Sequence, residues 1–125
     1  MTGAESLAKA VRIAQAAVDR KAENLVALDM RGVASFADVF ILASGNSDRH
    51  VRAIADAVEE SVSALGERPL GIEGYDEARW ILLDLGDVIV HVFQPAVREH
   101  YDLERLWSEA PKLEPLGEEA QSVTR

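Results

Sequence analysis

Two apolar runs in the second half of the chain have the pattern of a β-hairpin. Residues 80–85 and 88–93 are separated only by Gly86 and Asp87, and glycine accepts the positive φ that a two-residue turn requires. With this turn, side chains alternate between the two faces of the sheet. The first face is wholly aliphatic, and it is predicted to belong to the core. It consists of Ile81, Leu83, Leu85, Val88, Val90 and Val92.

The second face of the hairpin, called the mixed face below, combines large rings, a carboxylate, an imidazole and two aliphatic side chains. It consists of Trp80, Leu82, Asp84, Ile89, His91 and Phe93. A buried face rarely has this composition, so the mixed face is predicted to contact a partner. Trp80 is either a core residue or an interface anchor, and its place opposite the aliphatic face favours the anchor, since tryptophan is enriched at binding hot spots. For His91, a hydrogen-bonded structural role is an equal alternative.

The pattern before the hairpin predicts two helices and three strands. A capping box formed by Thr2 and Glu5 begins a helix that runs to about residue 21, with its apolar face at helical spacing. That face is Leu7, Val11, Ala14 and Val18. Residues 25–30, 39–44 and 69–74 have the length and composition of strands. Asn46 or Ser47 is predicted to cap a second helix, which carries apolar residues as far as Leu65 and ends at Gly66.

Two shorter helices are predicted after the hairpin. Pro95 suits the first turn of one, and Asp102 could cap another, on which Leu103, Leu106 and Trp107 share a face. The order of elements predicts an α/β domain with a mixed, mainly five-stranded sheet and helices packed on one face. Residues 1–111 form this domain, and residues 112–125 are predicted to be an acidic, flexible tail.

Composition narrows the class of partner. The 125 residues suffice for one domain, and they include no cysteine, no long apolar segment and no signal-peptide pattern, so a soluble intracellular protein is expected. With 22 acidic and 13 basic side chains, the formal net charge is −9. This charge disfavours extensive contact with nucleic acid, which requires Lys and Arg. A basic protein is the more natural partner.

Several spaced segments together resemble the ribosomal silencing factor family, also known as the Iojap family. The first is residues 80–107, with the pattern Arg98, Tyr101, Leu103, Glu104, Leu106 and Trp107. The second is residues 38–51, DVFILASGNSDRHV, and a third is the Glu73-Gly74 turn. The resemblance covers roughly residues 7–111. Nothing after Pro111 matches the family pattern.

The resemblance implies a function. A member of this family is a cytoplasmic, non-enzymatic translation repressor that binds the large ribosomal subunit through large-subunit ribosomal protein fourteen and sterically blocks joining of the small subunit. The resemblance also implies that the free protein is a homodimer. Arg98 and Tyr101 are surface residues of a helix on the sequence pattern alone, and the resemblance places them at the rim of the interface. The mixed face is then either the ribosome contact or the dimer contact.

The resemblance also implies a fold similar to that of nucleotidyltransferases, and a nucleotide-handling enzyme is therefore the alternative function. Residues 44–47 join a strand to a helix, a geometry that can bind phosphate. The pair of alternating carboxylates that would hold magnesium is missing, because Asp84 and Asp87 lie on either side of the turn. The three histidines lack the spacing of zinc ligands. No catalytic residue, metal or cofactor is predicted.

Overall fold

The computed structural model describes residues 3–113, with side chains described from residue 5 onward. Its elements are α1 (Gly3–Asp19), β1 (Glu23–Asp29), β2 (Val39–Ser44), α2 (Asp48–Ser63), β3 (Gly71–Glu73), β4 (Trp80–Asp84), β5 (Val88–Phe93), α3 (Pro95–Tyr101) and α4 (Leu103–Leu106). The predicted strand at residues 39–44 has these same bounds. Thr2, half of the predicted capping box, lies outside the described residues.

The five strands form one mixed sheet in the order β1-β2-β5-β4-β3. The central pair, β2 and β5, is parallel, while the other neighbours are antiparallel. Every residue of β2 is buried, as expected for a central strand that is covered on both faces. The predicted fold class, an α/β domain with a mixed five-stranded sheet, is confirmed.

The hairpin of β4 and β5 has the predicted register. Trp80 lies opposite Phe93 and Leu82 lies opposite His91, and the backbone N–H of Leu85 donates to the carbonyl of Val88. Gly86 adopts a φ of +90°, the conformation that glycine accepts more easily than other residues. The two-residue turn therefore fixes which side chains share a face.

The aliphatic face of the hairpin packs against α1 and α2, and the prediction that helices cover this face is confirmed. The buried core on this side contains the alternate residues of the central strands. They are Val39, Ile41, Ala43, Val88, Val90 and Val92. Leu65, expected on the core face of α2, is instead 40 % exposed, because the helix ends at Ser63 and tight turns follow it.

The buried face of α1 agrees only in part with the predicted one. Ala14 and Val18 are buried and Leu7 packs against the core, as predicted, but Val11 departs from the prediction. Val11 is 37 % exposed, whereas small side chains of α1 are fully buried between the sheet and α2. They are Ala10, Ala14 and Ala17. Small residues let a helix approach its neighbours closely, so the contact face is rotated relative to the stripe of larger side chains.

A buried ionic network joins α1 to the hairpin turn. The ammonium of Lys9 donates to Asp87 Oδ1 at 2.8 Å, to Glu67 Oε1 at 2.7 Å and to the carbonyl of Leu85 at 2.6 Å. The hydroxyl of Ser6 lies between two carboxylates, 2.7 Å from Asp87 and 2.6 Å from Asp38. All three protons of Lys9 thus have acceptors, which allows a charged side chain to be buried.

The second face of the sheet is partly covered as well. A second apolar cluster packs there, formed by strand residues, the segment after β1 and the short helices. Its buried members are Leu28, Met30, Ala37, Phe40, Leu42, Phe93 and Ala110. The mixed face is therefore not a bare surface, although the sequence pattern predicted one.

The short helices follow the predicted order but differ in detail. Asp102 lies between α3 and α4 with a φ of +46°, and its side chain makes no capping hydrogen bond. Leu106, predicted to share a face with Trp107, is 68 % exposed. Trp107 instead follows α4 and packs against the second cluster. Among the described residues, no helix has the length and apolar character needed to cross a membrane.

The segment that follows α4 returns to the outer edge of β1. The backbone N–H of Asp29 donates to Pro111 O, and that of Leu113 donates to Ala27 O, both at 2.8 Å. Lys112 and Leu113, the first residues of the predicted tail, therefore pack with the domain. Residues 114–125 lie outside the described part of the chain, and the boundary at residue 111 and the flexible tail stay predictions.

Candidate partner-binding surface

Six rings form a continuous series across the second face of the sheet. Successive ring centroids are 4.9–6.2 Å apart. In order, the rings are Phe36, Trp107, Phe40, His91, Trp80 and Tyr101. Phe36 and Tyr101, toward the two ends of the series, are each 55 % exposed, and the Tyr101 ring also contacts His100, with centroids 4.9 Å apart. The series therefore presents aromatic surface at both ends while its middle is anchored in the fold.

Trp80, the predicted anchor, lies between His91 and Tyr101 in this series and is partly buried. Its indole packs on Phe93, with centroids 5.1 Å apart, and on Tyr101, with centroids 4.9 Å apart. The indole Nε1–H donates to His91 Nδ1 at 3.1 Å. Trp80 thus combines an exposed portion with a fixed orientation, which is typical of an interface anchor.

His91 is 4 % exposed and lies beneath Trp80 and Phe40. Because its Nδ1 accepts the indole N–H, the ring is neutral and carries its proton on Nε2. Nε2 is buried and has no hydrogen-bond partner among the described residues. Burial lowers the pKa of His91 to about 4. Of the two predicted roles, the geometry places His91 under the surface, where it supports Trp80.

The neutral state of His91 makes stability dependent on pH. Between pH 6.5 and about 4 the unfolded chain binds a proton at this position that the folded protein excludes, so stability falls as the pH decreases. Over this range we expect the free energy of unfolding of the wild type to fall by about 3 kcal/mol more than that of His91→Leu. Urea denaturation of both proteins at pH 7 and pH 4.5 measures most of this difference. Parallel pH profiles would contradict it.

Two other predicted contact residues are buried. Phe93 has no exposed surface, and Arg98 is only 9 % exposed. The guanidinium of Arg98 donates to Ser44 Oγ at 2.9 Å and to Glu104 Oε1 at 3.0 Å. Arg98 thus ties α3 to the end of β2 and to α4. In this conformation both side chains support the surface from beneath, and neither exposes enough surface to contact a partner directly.

The remaining predicted residues reach the surface. Tyr101 is exposed, and Leu82, Asp84 and Ile89 are partly exposed. Asp84 also has a structural role, because its Oδ1 accepts the backbone N–H of Gly86 at 3.0 Å. Direct contact is therefore open to five of the eight predicted residues, and it stays a prediction for each. These five are Trp80, Leu82, Asp84, Ile89 and Tyr101.

The turn at residues 44–47 is occupied by internal hydrogen bonds. The backbone N–H of Gly45 donates to Phe93 O, and that of Asn46 donates to His50 Nδ1. Ser47 caps α2 by accepting the N–H of His50, as one of the two predicted caps. A Cβ at Gly45 would lie 3.0 Å from Val51, so the turn is closely packed against α2. These contacts account for the turn without a phosphate ligand.

The carboxylates flanking the hairpin turn do not form a metal site. Asp87 interacts with Lys9 and Ser6 on the α1 side of the sheet, whereas Asp84 belongs to the opposite, mixed face. Within residues 5–113, no cluster of three or more His, Asp and Glu side chains could hold a metal ion. His50 links α1 to the turn, since its Nε2 lies 2.8 Å from Arg20 O.

The sequence pattern did not identify two residues, one that contributes to the aromatic surface and one that ties α1 to the hairpin turn. Phe36 lies in the loop before β2, and an aromatic ring outside the predicted strands was the only signal. Lys9 adjoins the apolar positions of α1, where a cation can have a buried partner. Neither signal identifies the contact, because Trp107 and the acceptors of Lys9 are distant in sequence.

Fold and surface together define the class of this protein as an α/β domain whose second sheet face carries a partly open aromatic surface. The comparisons with known proteins identify the family. A family model described as "Ribosomal silencing factor during starvation" matches residues 3–125. The chain belongs to the ribosomal silencing factor family, as its sequence pattern predicted. The match extends beyond Pro111, where the sequence pattern showed no resemblance.

Individual relatives agree with this assignment. Ribosomal silencing factor RsfS of Bacillus subtilis is 48 % identical over 102 residues, which are 81 % of this chain and 86 % of the relative. A crystal structure of a Chromobacterium violaceum protein has a TM-score of 0.78 at 37 % identity, covering 86 % of this chain and 88 % of that one. "Mitochondrial assembly of ribosomal large subunit protein 1" of Mus musculus is 34 % identical over 76 residues, 58 % of this chain and 33 % of that protein.

Proposed function

We propose that this protein is a non-enzymatic translation repressor that binds the large ribosomal subunit through large-subunit ribosomal protein fourteen and blocks joining of the small subunit. The observation that carries the proposal is the aromatic series, with exposed Phe36 and Tyr101 at its ends and Trp80 beside Tyr101. Aromatic side chains provide large contact areas at protein interfaces. The family name and the name of the mouse relative point to the ribosome as the site of action.

Charge favours a ribosomal protein over ribosomal RNA as the contact. The formal net charge of −9 opposes association with phosphates, whereas a basic ribosomal protein is attracted. Asp84 places one carboxylate on the mixed face, beside the partly exposed Leu82 and Ile89. A surface that combines apolar side chains with a carboxylate is complementary to a basic protein surface that also carries apolar groups.

The proposed mechanism is occlusion. If the factor covers surface that the small subunit must reach, the two binding events exclude each other, and the fraction of joined ribosomes falls with factor concentration by mass action. The mechanism needs no chemical step, so the proposed protein is not an enzyme. Its proposed site of action is the cytoplasm, where ribosomal subunits join. In the free protein, two copies are proposed to form a homodimer through the same aromatic surface. Binding to the ribosome would then require the dimer to dissociate.

The experiment is sedimentation of the purified protein with isolated ribosomal subunits, followed by a joining assay. We expect recovery with large subunits and not with small subunits, and a lower yield of joined ribosomes when the factor is added first. Equal recovery with both subunits, or unchanged joining at saturating factor, would refute the proposal.

Trp80→Ala tests the surface itself. We expect affinity for large subunits to fall by about 2 kcal/mol, roughly thirtyfold, if Trp80 is an anchor. Leu65→Ala is the control, since Leu65 is 40 % exposed beyond α2, on the helix-covered side of the sheet. Binding isotherms at one salt concentration, with melting curves for each variant, separate binding from folding. Equal affinity of Trp80→Ala and wild type would place the contact elsewhere.

A further inference from the structure

The hydrogen bond between Trp80 and His91 is the one contact of the aromatic series in which orientation depends on a specific atom. Trp80 Nε1–H is a donor only, and it meets His91 Nδ1 at 3.1 Å. Contact with the tilted rings of Phe93 and Tyr101 confines the indole but does not distinguish it from the orientation flipped about χ2, in which Nε1 points elsewhere. The hydrogen bond removes that freedom.

The opposite side of the imidazole makes no hydrogen bond to the described residues. Its Nε2 lies on this side and is buried. A buried N–H without an acceptor lowers stability, and an apolar side chain of similar size would avoid this cost. What a neutral imidazole supplies at this position is the acceptor for the indole N–H.

We propose that His91 is a positioning residue, which fixes the indole of Trp80 in the orientation that contacts the partner. This inference rests on the proposed function, in which Trp80 is an anchor. Fixing a side chain before binding reduces the conformational entropy lost on association. Loss of the hydrogen bond therefore weakens binding by roughly two- to tenfold, while Trp80 itself is still present.

Three substitutions separate positioning from packing. His91→Leu removes the acceptor and also removes the buried N–H that lacks a partner. His91→Asn keeps an acceptor, because its Oδ1 can occupy the position of Nδ1. His91→Gln is the matched polar control, since its amide reaches the position of Nε2 instead.

The first measurement uses the free protein, diluted until it is monomeric by sedimentation velocity, because a dimer contact on the aromatic surface would itself protect the indole. Hydrogen exchange of the two indole N–H groups is followed by 1H–15N spectroscopy, with the Trp80 signal assigned by Trp80→Phe. We expect a protected Trp80 N–H in the wild type and His91→Asn, and faster exchange in His91→Leu and His91→Gln. Urea denaturation at pH 7 should show His91→Leu to be at least as stable as the wild type. Equal protection of the indole in all four proteins would overturn the inference.

The second measurement is affinity for isolated large subunits. His91→Leu and His91→Gln should bind roughly two- to tenfold more weakly than the wild type, and His91→Asn should restore most of the affinity. Full affinity of His91→Leu, or equal losses in His91→Asn and His91→Gln, would overturn the positioning role. If His91→Leu does not fold, the Asn and Gln pair decides alone. Failure of the wild type to bind would instead refute the proposed function, and the exchange experiment would still decide whether His91 fixes the indole.

Discussion

Replacing Leu83 by alanine is expected to lower the free energy of unfolding by about 2–5 kcal/mol. Leu83 has no exposed surface, and it lies in the core formed by the aliphatic face of the hairpin with α1 and α2. Removing its branched end leaves a cavity that close-packed neighbours fill only partly. Urea denaturation at neutral pH measures the loss.

The neighbouring leucine provides a matched control. Leu82 is the same residue type on the same strand, but it lies on the mixed face and is partly exposed. Leu82→Ala is therefore expected to cost about 1 kcal/mol or less of stability. A larger loss for Leu82→Ala than for Leu83→Ala would mean that the core lies on the other face of the hairpin.

The hairpin could be predicted because its information is local. Gly86 and Asp87 determine the turn, the turn determines the register, and the register determines which side chains share a face. The strand at residues 39–44 was predictable for a similar reason, since a short apolar run followed by the Ser47 cap marks both its end and the start of α2.

The covering of the mixed face could not be predicted in the same way. Phe93 belongs to a cluster with residues that are distant in sequence, including Phe40 and Leu42 on β2 and Ala110. Composition suggested an open surface, because a buried imidazole is uncommon. The hydrogen bond from Trp80 makes His91 compatible with burial, and local pattern does not show that bond.

The helix α1 shows a further limit. Its larger apolar side chains predicted a face that includes Val11, yet Ser6 and Lys9 are buried and Val11 is not. The orientation of α1 depends on the acceptors that Asp87, Glu67 and Leu85 O provide for Lys9. These groups are 58 to 78 residues away along the chain, so helical periodicity alone does not reveal them.

The largest effect of a single substitution is expected for Lys9→Met, with a loss of about 3–5 kcal/mol at neutral pH. Methionine preserves most of the volume but removes the cation. The carboxylate of Asp87, whose side chain is only 10 % exposed, then faces the carbonyl of Leu85 without a positive charge. Removing one partner of a buried ion pair lowers stability by far more than the intact pair adds, because the remaining charge is buried without compensation. Urea denaturation at pH 7 measures the loss.

Two controls attribute this loss to the charge on Asp87. In Lys9→Met/Asp87→Asn no buried carboxylate is left without its cation, since Glu67, the other partner of Lys9, is 44 % exposed and can be solvated. The double variant should therefore be more stable than Lys9→Met alone. In the wild type, burial raises the pKa of Asp87, but hydrogen bonds from Lys9 and Ser6 outweigh this and hold the pKa below 3.8. Its contribution to stability is therefore present above pH 3.8 and is lost as the pH falls through the folded-state value. The loss of stability in Lys9→Met should accordingly become smaller in acid. A loss that stays constant from pH 7 to pH 3 would show that packing of the Lys9 stem, rather than its charge, stabilises α1 against the hairpin turn.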